Sequence, residues 1–198
     1  MPESTIDSTR LTRADDHKVV ARALATVATV CSHQPTCVDA VGPVAAARTA
    51  AVLAMALDGG ATACDPLVAA DAATWRLLGA PTAQATSRAT RDVLGHLDDG
   101  GARPWGSRAT TDVALLAAVV DVVEHLVTLA RRLGRPADVL HDVVAKVDDR
   151  FHPLVALAAM DAEDDLRRIL MAAVGAQPLR CPGTTIIIPD IAVTSSRR

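Results

Sequence analysis

Asp121 and His125 stand one helical turn apart in this 198-residue chain, a spacing that brings a carboxylate beside an imidazole on one helix face. In that position a carboxylate orients the ring as a general base or fixes it as a metal ligand. The pairing recurs at Asp92 and His96, and at i,i+3 as Asp138 and His141. The same residues serve equally as charge pairs on solvated helix faces, worth about 0.2–0.5 kcal/mol each. What sets the first pair apart is its helix. From Val113 to Leu133 most positions are Val, Leu or Ala, and Asp121, Glu124, His125, Thr128 and Arg132 recur every three or four residues as one narrow polar stripe. A helix wetted only along a stripe is packed on most of its circumference, and its stripe is placed to face an internal cavity. Asp121, His125 and His141 are therefore the candidate catalytic residues, with Glu124, Arg132 and Asp138 as candidate ligand-binding residues.

Two further groups have the donor types of metal sites. Asp161, Asp164 and Asp165, at i, i+3 and i+4, put three carboxylates on one helical face, as a magnesium ion bridging diphosphate oxygens requires. Acidic residues near a helix start are also stabilised by the helix dipole with no ligand at all. Cys31, His33 and Cys37 share one loop and are competent zinc ligands, with a fourth to come from Cys64, Cys181 or a carboxylate. The alternative is two partly buried thiols at adjoining helix ends.

These residues must be positioned by helices. Asp15 and Asp16 open a helix that runs to about Cys31, and Val44 to Leu57 forms a second, with Pro43 in its first turn. Pro66 starts a third that ends at Gly79-Ala80-Pro81. Thr82 or Thr86 leads into a fourth through Val93 and Leu97. After the Val113–Leu133 helix, Gly134-Arg135-Pro136 predicts a tight turn into an antiparallel neighbour with Val139, Leu140, Val143, Val144 and Val147 on its apolar face. His152-Pro153 precedes a last helical region, 154–174, divisible near Met160-Asp161. The expectation is an all-α single bundle of about seven helices over residues 14–176. It is flanked by a polar leader, 1–13, and an extended tail, 177–198, whose Ile186–Ile191 run packs on the bundle or pairs with another chain.

Half the residues are apolar, yet there are one Phe, two Trp and no Tyr, so packing relies on close helix approach rather than aromatic bulk. A net charge of −3 with interspersed signs carries no footprint for nucleic acid or an anionic membrane. No run of about 18 apolar residues is present to serve as a membrane span, and no basic start with an apolar run opens the chain. The expectation is a cytoplasmic protein, and the preference for Ala and Arg, with only Lys18 and Lys146 as lysines and no Asn, matches a GC-rich bacterial genome.

In fragments, the stretch from Gly100 resembles the isoprenoid (polyprenyl diphosphate) synthases. Gly100-Gly101-Ala102-Arg103-Pro104 is similar to that family's Gly-Gly-Lys-Arg-x-Arg-Pro element. Arg131-Arg132-Leu133-Gly134-Arg135-Pro136 is similar to its Arg-Arg-Gly-Arg-Pro run with one residue inserted, and Asp164-Asp165-Leu166 to part of its second aspartate-rich motif. No Asp-Asp-x-x-Asp occurs, so the resemblance implies a degenerate helical subunit, comparable to the non-catalytic small subunits of heteromeric prenyl synthases. Magnesium enters only with that diphosphate reading; the sequence specifies no other cofactor. Residues 118–151 also resemble the all-α nucleotide pyrophosphohydrolases related to MazG, through Asp121, Leu129-Ala130, Leu133-Gly134, Lys146 and Arg150-Phe151, with Ala118 where that family's second motif has glutamate.

Three functions follow as expectations. The first is a subunit that associates with itself or a partner protein and shapes a small-molecule site. The second is an enzyme acting on a small metabolite or diphosphate ester through Asp121, His125 and His141. The third is a ligand-binding regulator.

Overall fold

The computed structural model describes residues 12–33, 39–57, 64–99, 111–134, 136–147 and 150–176. The leader up to Leu11, the Gly100–Pro104 element, Cys37, Cys181 and the Ile-rich tail lie outside the described residues, as does the side chain of His33. Among the described residues the chain is all-α, with eight α-helices and one 3-10 turn at Thr82–Gln84. The helices are α1 (Arg13–His33), α2 (Val41–Leu57), α3 (Pro66–Leu78), α4 (Arg88–Asp98), α5 (Asp112–Leu133), α6 (Pro136–Ala145), α7 (Pro153–Asp161) and α8 (Glu163–Gly175). The count exceeds the expected seven because the last helical region breaks at Ala162, which closes α7 and opens α8.

Local chemistry explains most boundaries. Asp65 accepts from the backbone N–H of Leu67 at 2.8 Å and starts α3, Ser87 accepts from Thr90 N at 3.0 Å and starts α4, and Thr111 accepts from Ala114 N at 3.3 Å and starts α5. Thr12 Oγ1 accepts from Asp15 N, an N-cap at the head of α1, and the same hydroxyl donates to the Asp15 carboxylate. Gly134 ends α5 at φ 66°, in the left-handed conformation that glycine adopts without a Cβ penalty.

α5 is central as expected, touching α2, α3, α4, α6, α7 and α8. It shares that role with α2, which packs on α1, α3, α5, α7 and α8 and buries Ala45, Ala46, Ala50 and Leu53. The α2–α3 contact is the most extensive in the bundle. Alanine explains it: Ala46 and Ala50 of α2 and Ala69, Ala72 and Ala73 of α3 are all fully buried, and such small side chains let two helix axes approach closely. Trp75 and Phe151 are the largest side chains in the core. α5 is long and apolar enough to cross a membrane by length and composition, contrary to the expectation from counting strict apolar runs; 72% of its most apolar window is buried inside the bundle.

Candidate functional site

The polar stripe of α5 descends from core to surface. Asp121 is 3% exposed, Glu124 and His125 are half-buried, and Thr128 and Arg132 are exposed. Its middle members meet neighbouring helices. Arg76 of α3 donates from Nε to Glu124 Oε2 at 2.9 Å and from Nη1 to Asp98 Oδ1 at 3.3 Å, while Thr82 Oγ1 donates to Asp98 Oδ2 at 2.7 Å. The Glu124 carboxylate, aided by the charges of Asp98 and Asp121, holds the Arg76 guanidinium above its ordinary pKa against the opposing effect of burial.

His125 Nε2 lies 2.5 Å from Asp142 Oδ2 on α6, and Lys146 Nζ donates to the same oxygen at 2.7 Å. The Lys146 hydrogen bond foremost, then His125, hold the Asp142 carboxyl below its ordinary pKa. An ionised carboxylate only accepts, so Nε2 carries the ring proton and Nδ1 is left as the basic nitrogen of neutral His125. The ring packs on Phe151 with centroids 5.1 Å apart at 52°, and the Arg150 guanidinium covers Phe151 at 5.0 Å. The spacing along α5 pairs His125 with Asp121, whereas the carboxylate bonded to its Nε2 is Asp142 of the next helix.

The remaining sequence-predicted residues are dispersed. His141 is exposed and lines a groove of about 110 Å³ with Leu140, Val144, Ala159, Met160 and Glu163, which neither Asp121 nor His125 borders. Asp138 belongs to α6. Asp161 ends α7 whereas Asp164 and Asp165 begin α8, so the three carboxylates do not share one helix as expected. Asp165 pairs with Arg168, and Glu163 accepts from Arg167 at 2.5 Å. Acids in the first turn of α8 complement the free N–H groups there. Among the described residues no three His, Cys, Asp or Glu side chains gather to hold a metal ion. Cys64 is buried and Cys31 half-buried.

Sequence reasoning passed over two residues. Asp142 lies on α6, and its separation of 17 residues from His125 leaves no local signal of their contact. Asp71 is a buried carboxylate on α3 that accepts from Thr26 Oγ1 of α1 at 3.0 Å and Thr90 Oγ1 of α4 at 2.7 Å, with Arg22 Nη2 at 3.7 Å. A lone aspartate inside Ala69-Ala70-Asp71-Ala72-Ala73 was the available signal.

On the outer side of the bundle α7 exposes Leu154 at 53%, Leu157 at 56% and Met160 at 53%, a stripe with spacing of three. Val144 of α6, also exposed, continues it across the groove. Comparison with family models, with curated proteins and with solved structures returns no match for this chain.

Proposed function

We propose that this chain is an association subunit, a helical body that joins another protein surface through α7 and shapes a small-molecule groove beside that contact. The observation that supports the reading is the Leu154–Leu157–Met160 stripe: three large apolar side chains, each more than half exposed, adjoin on one short helix. Single exposed leucines are ordinary, whereas contiguous ones rimmed by charge mark interaction sites. Arg150 just ahead of α7, Asp161 at its end and Asp164 beyond it are exposed charged residues. The test is the mass of the native species recovered from the cells that make it, with L154E/L157E/M160E as comparison. An assembly larger than the 20.6-kDa chain that the triple variant loses, with helical circular dichroism unchanged, is the expected result. A 20.6-kDa species from both refutes the reading.

A second reading, an enzyme acting on a small metabolite, rests on the Asp142-anchored His125. General-base use of Nδ1 requires both residues, so His125→Gln and Asp142→Asn each lower turnover of a metabolite that the wild-type protein converts. Turnover equal to wild type in both variants removes this reading.

A further inference from the structure

We infer that α1 is a strap: it lifts from the bundle as one unit while α2–α8 stay folded, and polar ties near each of its ends hold it closed over the Asp71 carboxylate.

The apolar seat of α1 is separate from the main core. Val19 and Ala23 pack with Ala47 and Ala51 of α2 and Ala70 of α3 in a small cluster of their own, and of the buried α1 side chains Val30, toward the far end, joins the core that α2–α8 share. α1 packs on α2 and α3, whereas α5 packs on each of the others from α2 to α8. Departure of α1 therefore leaves every contact among α2–α8 in place. Its buried apolar side chains, Val19, Ala23, Val27 and Val30, are none of them larger than valine, and Leu24 is only half-buried. Apolar stabilisation follows the area removed from water, so this seat holds less firmly than the leucine-lined faces of α5. A helix joined to two neighbours through small side chains is the kind of element that opens at a lower free energy than the whole domain.

The polar ties supply what the apolar seat lacks. Near the start of α1, Arg48 of α2 donates from Nε to Asp16 Oδ1 at 2.6 Å and from Nη2 to Oδ2 at 3.2 Å, a two-bonded grip that fixes direction as well as adding energy. Further along, Thr26 Oγ1 donates to Asp71 Oδ1 at 3.0 Å, and Arg22 Nη2 lies 3.7 Å from Asp71 Oδ2. Asp71 keeps the hydrogen bond from Thr90 of α4 when α1 leaves, so opening uncovers a carboxylate still held in place on the surface of α3. The two ties differ in their access to salt. Arg48 and Asp16 are each 27% exposed and can be screened, whereas Asp71 is shielded at 1%.

The experiment is amide hydrogen exchange of the full chain, resolved by residue with NMR and taken relative to each amide's intrinsic rate. Amides from Val19 to Val27 should share one opening and exchange at least ten-fold faster than those of α5. Val123→Ala weakens the main core at a helix that α1 does not pack on; it should speed the α5 amides about ten-fold and leave the α1 amides unchanged. Asp16→Asn should speed the α1 amides about three- to ten-fold. Global unfolding also breaks the Asp16–Arg48 tie, so the α5 amides should gain no more than that factor. Arg48→Gln should speed α1 in the wild-type chain and add nothing in the Asp16→Asn background. Exchange of α1 and α5 at one rate, or a Val123→Ala change that speeds both alike, makes α1 part of the single cooperative body and overturns the proposal. So does a steady gradient from the start of α1 that leaves Val27 as slow as α5, which is fraying of a helix end. An Asp16→Asn protein whose α1 exchanges as in wild type, or an Arg48→Gln effect equal in both backgrounds, overturns the role given to the Asp16–Arg48 tie.

Discussion

Arg131 near the end of α5 lies across Gly42 in the first turn of α2, so close that a Cβ at position 42 would stand 2.7 Å from Arg131 Nη1. The same guanidinium pairs with Asp39, whose carboxylate also accepts from Val41 N at 3.0 Å. Glycine here is thus a matter of space, and it lets one side chain tie the basic end of α5 to the start of α2.

The expected effect of Gly42→Ala is small. Alanine gains up to about 1 kcal/mol of helix propensity, while displacement of a flexible guanidinium tip sacrifices an ion pair worth about 0.2–1 kcal/mol. In an Arg131→Ala background the propensity gain should appear undiminished. Urea unfolding of the four proteins of this cycle checks both statements, and an equal effect of Gly42→Ala with and without Arg131 would show that the close approach has no energetic weight.

Replacing Asp71 by alanine should be the most destabilising change among the polar residues. It strips the Thr26 and Thr90 hydroxyls of their buried acceptor and leaves Arg22 without its partner in the core. Losses of about 3–5 kcal/mol accompany removal of one member of a buried charged cluster, and Thr90→Val should cost about 1–2 kcal/mol. Chemical denaturation measures both; a loss below 1 kcal/mol for Asp71→Ala contradicts the assignment.

His152 gives the fold a response to mild acid. Its Nδ1 accepts from Leu154 N at 3.2 Å to cap α7, and burial holds its pKa below the ordinary 6.5. The unfolded chain therefore takes up a proton near pH 6.5 while the folded one resists. Stability contributed by neutral His152 is complete above pH 6.5 and declines as pH falls toward the folded value. His152→Asn keeps a capping acceptor and should flatten this part of the melting-temperature profile between pH 7 and 5. His152→Ala should cost about 1 kcal/mol at neutral pH for the lost cap. A profile with the same slope in wild type and His152→Asn would assign the acid response elsewhere.

Asp142 acts at lower pH. Its folded pKa is depressed from 3.8, so the stability it supplies is present above that value and is lost as pH falls through the folded one. The Asp142→Asn protein should accordingly show a shallower acid slope below about pH 4 than wild type, read from the same melting series. Because the carboxylate is partly open to solvent, the difference at neutral pH should be well under 1 kcal/mol.

The all-α class, the main helix ends and the central place of α5 follow from the sequence alone because their causes are local. Thr111 and Asp65 cap the helices they immediately precede, Gly134 ends the one before it, and the run from Val113 to Leu133 has too little polar surface to lie outside a bundle; the fourth helix starts at Ser87, not at the expected Thr82 or Thr86, because Thr82 opens a 3-10 turn and the Ser87 hydroxyl accepts from Thr90 N. Partners were decided by tertiary structure. His125 meets a carboxylate 17 residues away, and Asp71 reaches a hydroxyl 45 residues away; both depend on how far each helix is rotated against its neighbour, which no local spacing records. The break at Ala162 falls where the sequence allows a division, near Met160-Asp161, but its consequence, Asp161 on one helix and Asp164 and Asp165 on the next, is a matter of how the two helices are set. Most of all, α7 is apolar on every side, so its periodicity marks no solvent face. Packing made the choice, turning Val155, Ala156, Ala158 and Ala159 inward, and the larger Leu154, Leu157 and Met160 were left outside because only small side chains fit where helices lie that close.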